Sequence, residues 1–268
     1  MNLLLNKVAI VAGASSGIGY ATARLFAQEG AKVVVAARRK AALDALIKEI
    51  IQAGGDAIAL AGDAREEAYA RALVDAATEH YGGLEVAFNN VGTLGPMAPT
   101  ADVSRSDWTR TVETNLTSAF LAAKYQAPAM VARGGGSLIF TSTLVGHTVA
   151  FPGMISYAAS KSGLIGLVQA LAVEFAMQGI RANAILPGGT DTAMYREMNG
   201  TKEAQDFVVS LYPARRRAGG NGAVGVVSSL RRFIFYDRKC DVGGWRCFDQ
   251  SDIARTRETE DELLIDKS

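Results

Sequence analysis

The sequence predicts an α/β fold, a doubly wound parallel β-sheet flanked by helices. Three observations predict it: short β-branched apolar runs recur along the chain, helical patterns of ten or more residues separate them, and the first run enters its helix through a glycine-rich turn. The first strand covers 8–12 and ends in glycine and serines, after which Ile18, Ala21, Leu25 and Phe26 recur at helical spacing until Gly30 stops the helix. Residues 31–37 are almost continuously apolar, as a strand buried on both faces requires, and a segment rich in Ala, Leu, Lys and Glu follows to Gln52 as the second helix. Further strands are expected over 57–61, 84–89, 137–142 and 181–186, with the longest helices over 107–132 and 156–178. No linker-like composition interrupts the chain before about residue 195, which favours one domain.

Composition narrows the function classes. With 268 residues, 49% hydrophobic and 21% charged, the chain can bury a sizeable core, so disordered, collagenous and miniprotein readings are excluded. Lys and Arg total 28 against 27 Asp and Glu, a net charge of +1 that provides no field for nucleic acid. The two cysteines, Cys240 and Cys247, suit a reducing compartment. No apolar run reaches the roughly 20 residues of a membrane helix, and Leu3 to Leu5 are followed at once by Asn6 and Lys7, unlike a secretion signal. A cytoplasmic protein without membrane or nucleic-acid partners is expected. His80 and His147 have no paired ligand spacing, so no metal site is expected.

The motifs point to a dinucleotide. In GASSGIG, Gly13, Gly17 and Gly19 lie between a strand and a helix start, where small residues let a pyrophosphate reach backbone N–H groups and the positive end of the helix dipole. After the second strand, where an acidic residue would accept from an adenosine ribose, stand Ala37, Arg38 and Arg39. A guanidinium there suits a 2'-phosphate, so NADP(H) is preferred and NAD(H) possible; an exposed basic pair at a strand end is the alternative. Asp63 can meet the adenine or cap a helix beginning near Arg65. Tyr157 and Lys161 are four apart in SYAASK, on one face of a helix. A phenol of ordinary pKa about 10 beside an ammonium can be tuned for general acid–base work. Ser142 and Thr143 close the strand before it, and Asn115 lies in the preceding long helix.

Together these residues resemble the short-chain dehydrogenase/reductase family of ordinary single-domain length. The resemblance is carried in order by GASSGIG, Asp63, NNVG at 89–92, Asn115, SLIFTST at 137–143, YAASK at 157–161 and PGGTDT at 187–192. It implies a Rossmann-type fold and hydride transfer between a nicotinamide and a carbonyl or alcohol. It further implies that Tyr157 is the general acid/base, that Lys161 lowers its pKa and binds nicotinamide ribose, and that Asn115 holds a relay water. Thr143 is the first candidate for the substrate-orienting hydroxyl and Ser142 the second. Gly13, Ser15, Ser16, Gly17, Ile18, Gly19, Arg38, Arg39, Asp63, Ala64, Asn90 and Gly92 would contact the dinucleotide, with Pro187, Gly188, Thr190 and Thr192 along the nicotinamide. Leu94, Pro96, Met97, Met154, Met194 and Tyr195 are candidate substrate-lining residues and lean apolar. A small-molecule carbonyl or alcohol substrate and a homo-oligomer, tetramer or dimer, are implied as partners.

Beyond Leu211 the pattern fails. Arginine clusters, glycine pairs and both cysteines stand where the fold needs another helix and a last strand. Back-translated with free wobble bases and read one nucleotide later, residues 233–249 can spell SSFMTGSAMLVDGGVSI, an ending typical of the family. The Trp245 codon itself forces one of those glycines. The reading is a frameshift between about residues 212 and 219, with 1–212 the oxidoreductase domain and 213–268 an aberrant tail. Losing the last strand would expose ladder groups and remove subunit contacts, so instability is expected. A catalytically impaired dinucleotide-binding protein is the alternative to an active reductase.

Overall fold

The structure, a computed structural model, describes residues 2–203 and the pair 247–248. Among the described residues seven parallel strands form one sheet, the first six alternating with helices in a Rossmann-type fold: β1 (Val8–Ala12), α1 (Gly17–Gln28), β2 (Lys32–Ala37), α2 (Lys40–Gln52), β3 (Asp56–Ala61), α3 (Glu67–Tyr81) and β4 (Val86–Asn89) come first. They are followed by α4 (Arg105–Val112), α5 (Ser118–Ala132), β5 (Gly136–Thr141), α6 (Ile155–Phe175), β6 (Ile180–Ile185), α7 (Ala193–Met198) and β7 (Cys247–Phe248). The sheet order is β3-β2-β1-β4-β5-β6-β7. Each expected strand over 8–186 is present within two residues of its expected ends.

The apolar runs read as strands because both faces of the sheet are covered. Ile10, Val34, Ala87 and Leu138 point into one core with α3, α5 and α6. Their neighbours Ala9, Val11, Val33, Val35 and Ile139 point into the other with α1 and α2. Phe26 of α1 meets Phe88 of β4 edge to face, with ring centroids 6.5 Å apart.

Two expectations are corrected. The helix expected over 107–132 is interrupted by a π-helical turn at Glu113–Thr117, between α4 and α5. Thr111, Thr114 and Ser118 flank or enter it with hydroxyls donating to carbonyls four residues back, a contact that bends helices. The other correction concerns the last strand. None is legible in the tail, yet Cys247 and Phe248 pair in parallel with Ala184 and Ile185 of β6. Two residues are too few for any periodicity to announce them. The remaining expectations about 213–268, including the frameshift, lie outside the described residues.

β1 and β4 are neighbours in space and far apart in sequence, with the chain winding away from them in opposite directions. A crevice therefore opens beyond their carboxyl ends, where this fold binds ligands. Among the described residues no helix is long and apolar enough to cross a membrane.

Candidate active site

A cleft of about 620 Å³ lies over that crevice. Its floor is the turn after β1. Gly13 has φ +78° and Gly17 φ +58°, backbone that L side chains rarely adopt. A Cβ on Gly13 would lie 2.8 Å from the Asn90 carbonyl oxygen, and one on Gly19 would lie 2.2 Å from that of Gly13. Gly19 therefore packs α1 against the turn, whereas Gly13, Ser15, Ser16, Gly17 and Ile18 line the cleft. This close backbone cradle before a twelve-residue helix is what a pyrophosphate requires.

At one end of the cleft sit Arg38, Arg39, Asp63 and Ala64. The Arg39 guanidinium donates to the Ser15 carbonyl at 3.2 Å and hydroxyl at 3.0 Å. Arg38 has no hydrogen-bond partner among the described residues. Asp63 does not cap α3, which begins at Glu67 behind Glu66. Its carboxylate instead takes Arg65, through the backbone N–H at 3.0 Å and the guanidinium at 2.6 Å. That hydrogen bonding holds the Asp63 carboxyl below its usual range.

At the other end the structure brings Tyr157, Lys161, Ser142 and Thr143 together. Residues 157 and 161 share a face of α6, and both are buried. Lys161 Nζ donates to the Thr141 carbonyl at 2.7 Å, and full burial lowers its pKa to about 8. Burial raises the Tyr157 phenol, and the neighbouring Thr143 hydroxyl opposes that rise. The two neighbouring hydroxyls are thus distinguished: Thr143 meets Tyr157, while Ser142 Oγ donates to the Lys161 carbonyl at 2.8 Å.

Asn115 lies in the π turn and is buried behind the cleft rather than lining it. Its Oδ1 accepts from Thr93 N at 2.7 Å, and its Nδ2 donates to Thr93 O and to Ser160 Oγ, each at 2.9 Å. Gly92 separates this side chain from Lys161: a Cβ there would lie 3.1 Å from Lys161 Nζ and 3.4 Å from Asn115 Oδ1. Asn90, Gly92, Pro187, Gly188, Thr190 and Thr192 all line the cleft. Thr192 additionally caps α7, accepting from Tyr195 N at 3.2 Å.

Of the candidate substrate-lining residues, Leu94, Met194 and Tyr195 line the cleft. Met154 is packed beneath it against Leu94, Val145 and Tyr157, and Pro96 and Met97 lie away from it. Val145, Phe151 and Met198 complete the apolar wall. Sequence reading missed these three because they lie on loops and a short helix without periodicity. It also missed Arg65, although that residue's place two after Asp63 was a usable signal. Among the described residues no group of three or more His, Cys, Asp or Glu could hold a metal ion.

Fold and relatives together define the class: a Rossmann-type oxidoreductase acting on CH–OH groups. The chain belongs to the short chain dehydrogenase family, whose sequence model matches residues 7–203. That family binds NAD(P)(H), and the glycine cradle and cleft fit such a group. The chain is 36% identical to a cyclohexanol dehydrogenase of Acinetobacter sp. (strain SE19) over 229 residues, 85% of this chain and 89% of that protein. It is 38% identical to a 2,5-dichloro-2,5-cyclohexadiene-1,4-diol dehydrogenase of Sphingobium indicum over 71% of this chain and 76% of that one. Among solved structures, a 7α-hydroxysteroid dehydrogenase complexed with NADH and 7-oxo glycochenodeoxycholic acid superposes with a TM-score of 0.84 at 30% identity, covering 92% of this chain and 94% of that one. A second solved structure, from Sinorhizobium meliloti 1021, gives the same score at 33% identity, covering 94% and 98%.

Proposed function

We propose that this protein is an NADP(H)-dependent oxidoreductase interconverting an apolar, cyclic secondary alcohol and its ketone, with Tyr157 as general acid/base. The observation that carries the reading is a single cleft joining a buried tyrosine, lysine and threonine at one end to a basic adenosine end at the other. When bound, the nicotinamide accepts or supplies the hydride. Tyr157 gives its phenolic proton to the carbonyl oxygen in reduction and takes it back in oxidation. Thr143 lies beside that phenol and orients the substrate oxygen; Ser142, spent on the Lys161 backbone, has the supporting part. Lys161, anchored on the Thr141 carbonyl, holds a positive charge beside the nicotinamide ribose. Asn115 locks the Thr93 backbone and, through it, the wall carrying Gly92.

Arg38 takes the 2'-phosphate, since no acidic residue follows β2 and Arg39 is already engaged with Ser15. The apolar wall of Leu94, Val145, Phe151, Met194 and Met198 supports a ring substrate without charge, and so do relatives named for cyclohexanol and ring diols. Trp108, Phe120 and Val131 are exposed on α4 and α5 and support a homo-oligomer. The protein works in the cytoplasm, and residues 1–212 carry its oxidoreductase domain, followed by a tail altered by a frame change of which Cys247 and Phe248 join the sheet beside β6.

The test is fluorescence titration with NADPH and NADH, beside turnover of cyclohexanol and cyclohexanone by wild type and Tyr157→Phe. NADPH should bind more tightly, and the variant should bind it normally while losing about 10²–10⁴-fold in kcat. Tighter NADH binding would reject the cofactor assignment. Binding without turnover by wild type would leave a non-catalytic nucleotide-binding protein.

A further inference from the structure

We infer that Arg65 sets the cofactor preference of this enzyme, by neutralising the one carboxylate that would otherwise repel a 2'-phosphate at the adenosine end of the cleft. This rests on the NADP(H) reading above and adds a residue and a mechanism to it.

The adenosine end of the cleft is lined by four charged side chains: Arg38, Arg39, Asp63 and Arg65. Three of them would attract a phosphate dianion and Asp63 would oppose it. The opposition is specific to NADP(H), because NAD(H) brings no charge to the ribose 2' position. Asp63 is not left bare. Arg65 closes on it with Nη2 at 2.6 Å from Oδ2 and Nε at 3.1 Å from Oδ1, while its own backbone N–H takes Oδ1 at 3.0 Å. Two residues apart in a turn, the pair forms a compact chelate that uses both carboxylate oxygens. Arg65 is exposed and Asp63 partly so, so solvent screens the pair, and its two-oxygen geometry rather than burial holds it together. Arg38 also acts on the same carboxylate, which places the proposed phosphate contact within electrostatic reach of Asp63.

Arg65 thus does two things. It keeps Asp63 from drawing the free guanidinium of Arg38 into an ion pair, leaving Arg38 for the phosphate. It also converts a lone negative charge into a neutral pair, so the cleft end carries the net positive charge of Arg38 and Arg39. Arg65 is a positioning and selectivity residue; the reacting atoms lie at the far end of the cleft.

The experiment measures Kd for NADPH and for NADH, by fluorescence, in wild type, Arg65→Gln, Asp63→Asn and the double variant, at low and at high salt. Arg65→Gln should weaken NADPH about tenfold and leave NADH within about twofold. Asp63→Asn in that background should restore the NADPH preference, because the repelling charge is then gone. The loss should shrink at high salt. An unchanged NADPH-to-NADH ratio in Arg65→Gln would overturn the inference. So would equal loss of both cofactors, or failure of Asp63→Asn to rescue, since either marks a merely structural role. Failure of the underlying reading looks different: wild type itself would then show no preference for NADPH.

Discussion

Tyr157 and Thr143 show how much of the proposed chemistry rests on one neighbouring hydroxyl. Burial alone pushes the phenol up and away from use, and Thr143 is the neighbour that opposes it. A hydroxyl donating to a phenolate favours the charged form, so its removal raises the phenol pKa further. Alcohol oxidation needs the phenolate, and its rate rises with pH as Tyr157 deprotonates. Ketone reduction needs the phenol, and its rate falls over the same range. Thr143→Val should therefore move both limbs of the pH–kcat profile to higher pH, with Thr143→Ser returning them. A lower rate with unmoved limbs would reject this part for Thr143. The sequence put Thr143 first and Ser142 second. They are adjacent, so their side chains point to different surroundings, and only the packing of α6 on β5 decides which one faces Tyr157.

At the scale of elements, the join between β4 and α5 is a reciprocal amide pair. Asn89 Nδ2 donates to Gln126 Oε1 at 2.8 Å, and Gln126 Nε2 donates to Asn89 Oδ1 at 3.0 Å, both residues being buried. Gln126→Ala should leave the Asn89 amide buried without its partner, a cost of about 1–3 kcal/mol. Urea unfolding should show it as a lower midpoint at unchanged slope. A midpoint equal to wild type would mean that water replaces the glutamine. Since β4 leads directly into Asn90 and Gly92 of the cleft, weaker dinucleotide binding should accompany the loss. The strands and this crevice were legible because doubly covered strands must be apolar throughout and glycine turns are conspicuous. The π turn at Asn115 was not. Its residues are compatible with a continuous α-helix, and the side-chain contacts to Thr93 and Ser160 that accompany the turn come from distant parts of the chain.

At the scale of the whole molecule, the unusual feature is the tail. β6 lies between β5 and β7, and its pairing with β7 runs through Ala184 and Ile185, whereas its pairing with β5 runs through six residues. A family-like ending restored by shifting the frame near residues 212–219 would supply a longer last strand and cover more of that edge. The repaired chain should melt at a higher temperature and elute as a sharper oligomer than the chain as written. Equal melting temperatures and elution profiles would argue that the present tail completes the fold. Sequencing the source nucleotides through this region tests the frame change itself.

The sequence by itself determined the class of fold, the order of its strands and helices, the glycine cradle, and the Tyr157–Lys161 face, because each is written in local periodicity or spacing. Only the tertiary structure decided which hydroxyl meets Tyr157, that Asn115 sits in a π turn behind the cleft, that Asp63 is chelated by Arg65, and that Val145, Phe151 and Met198 form the apolar wall. These depend on contacts between segments remote in sequence, or on rotamers chosen by packing, and one-dimensional patterns carry neither.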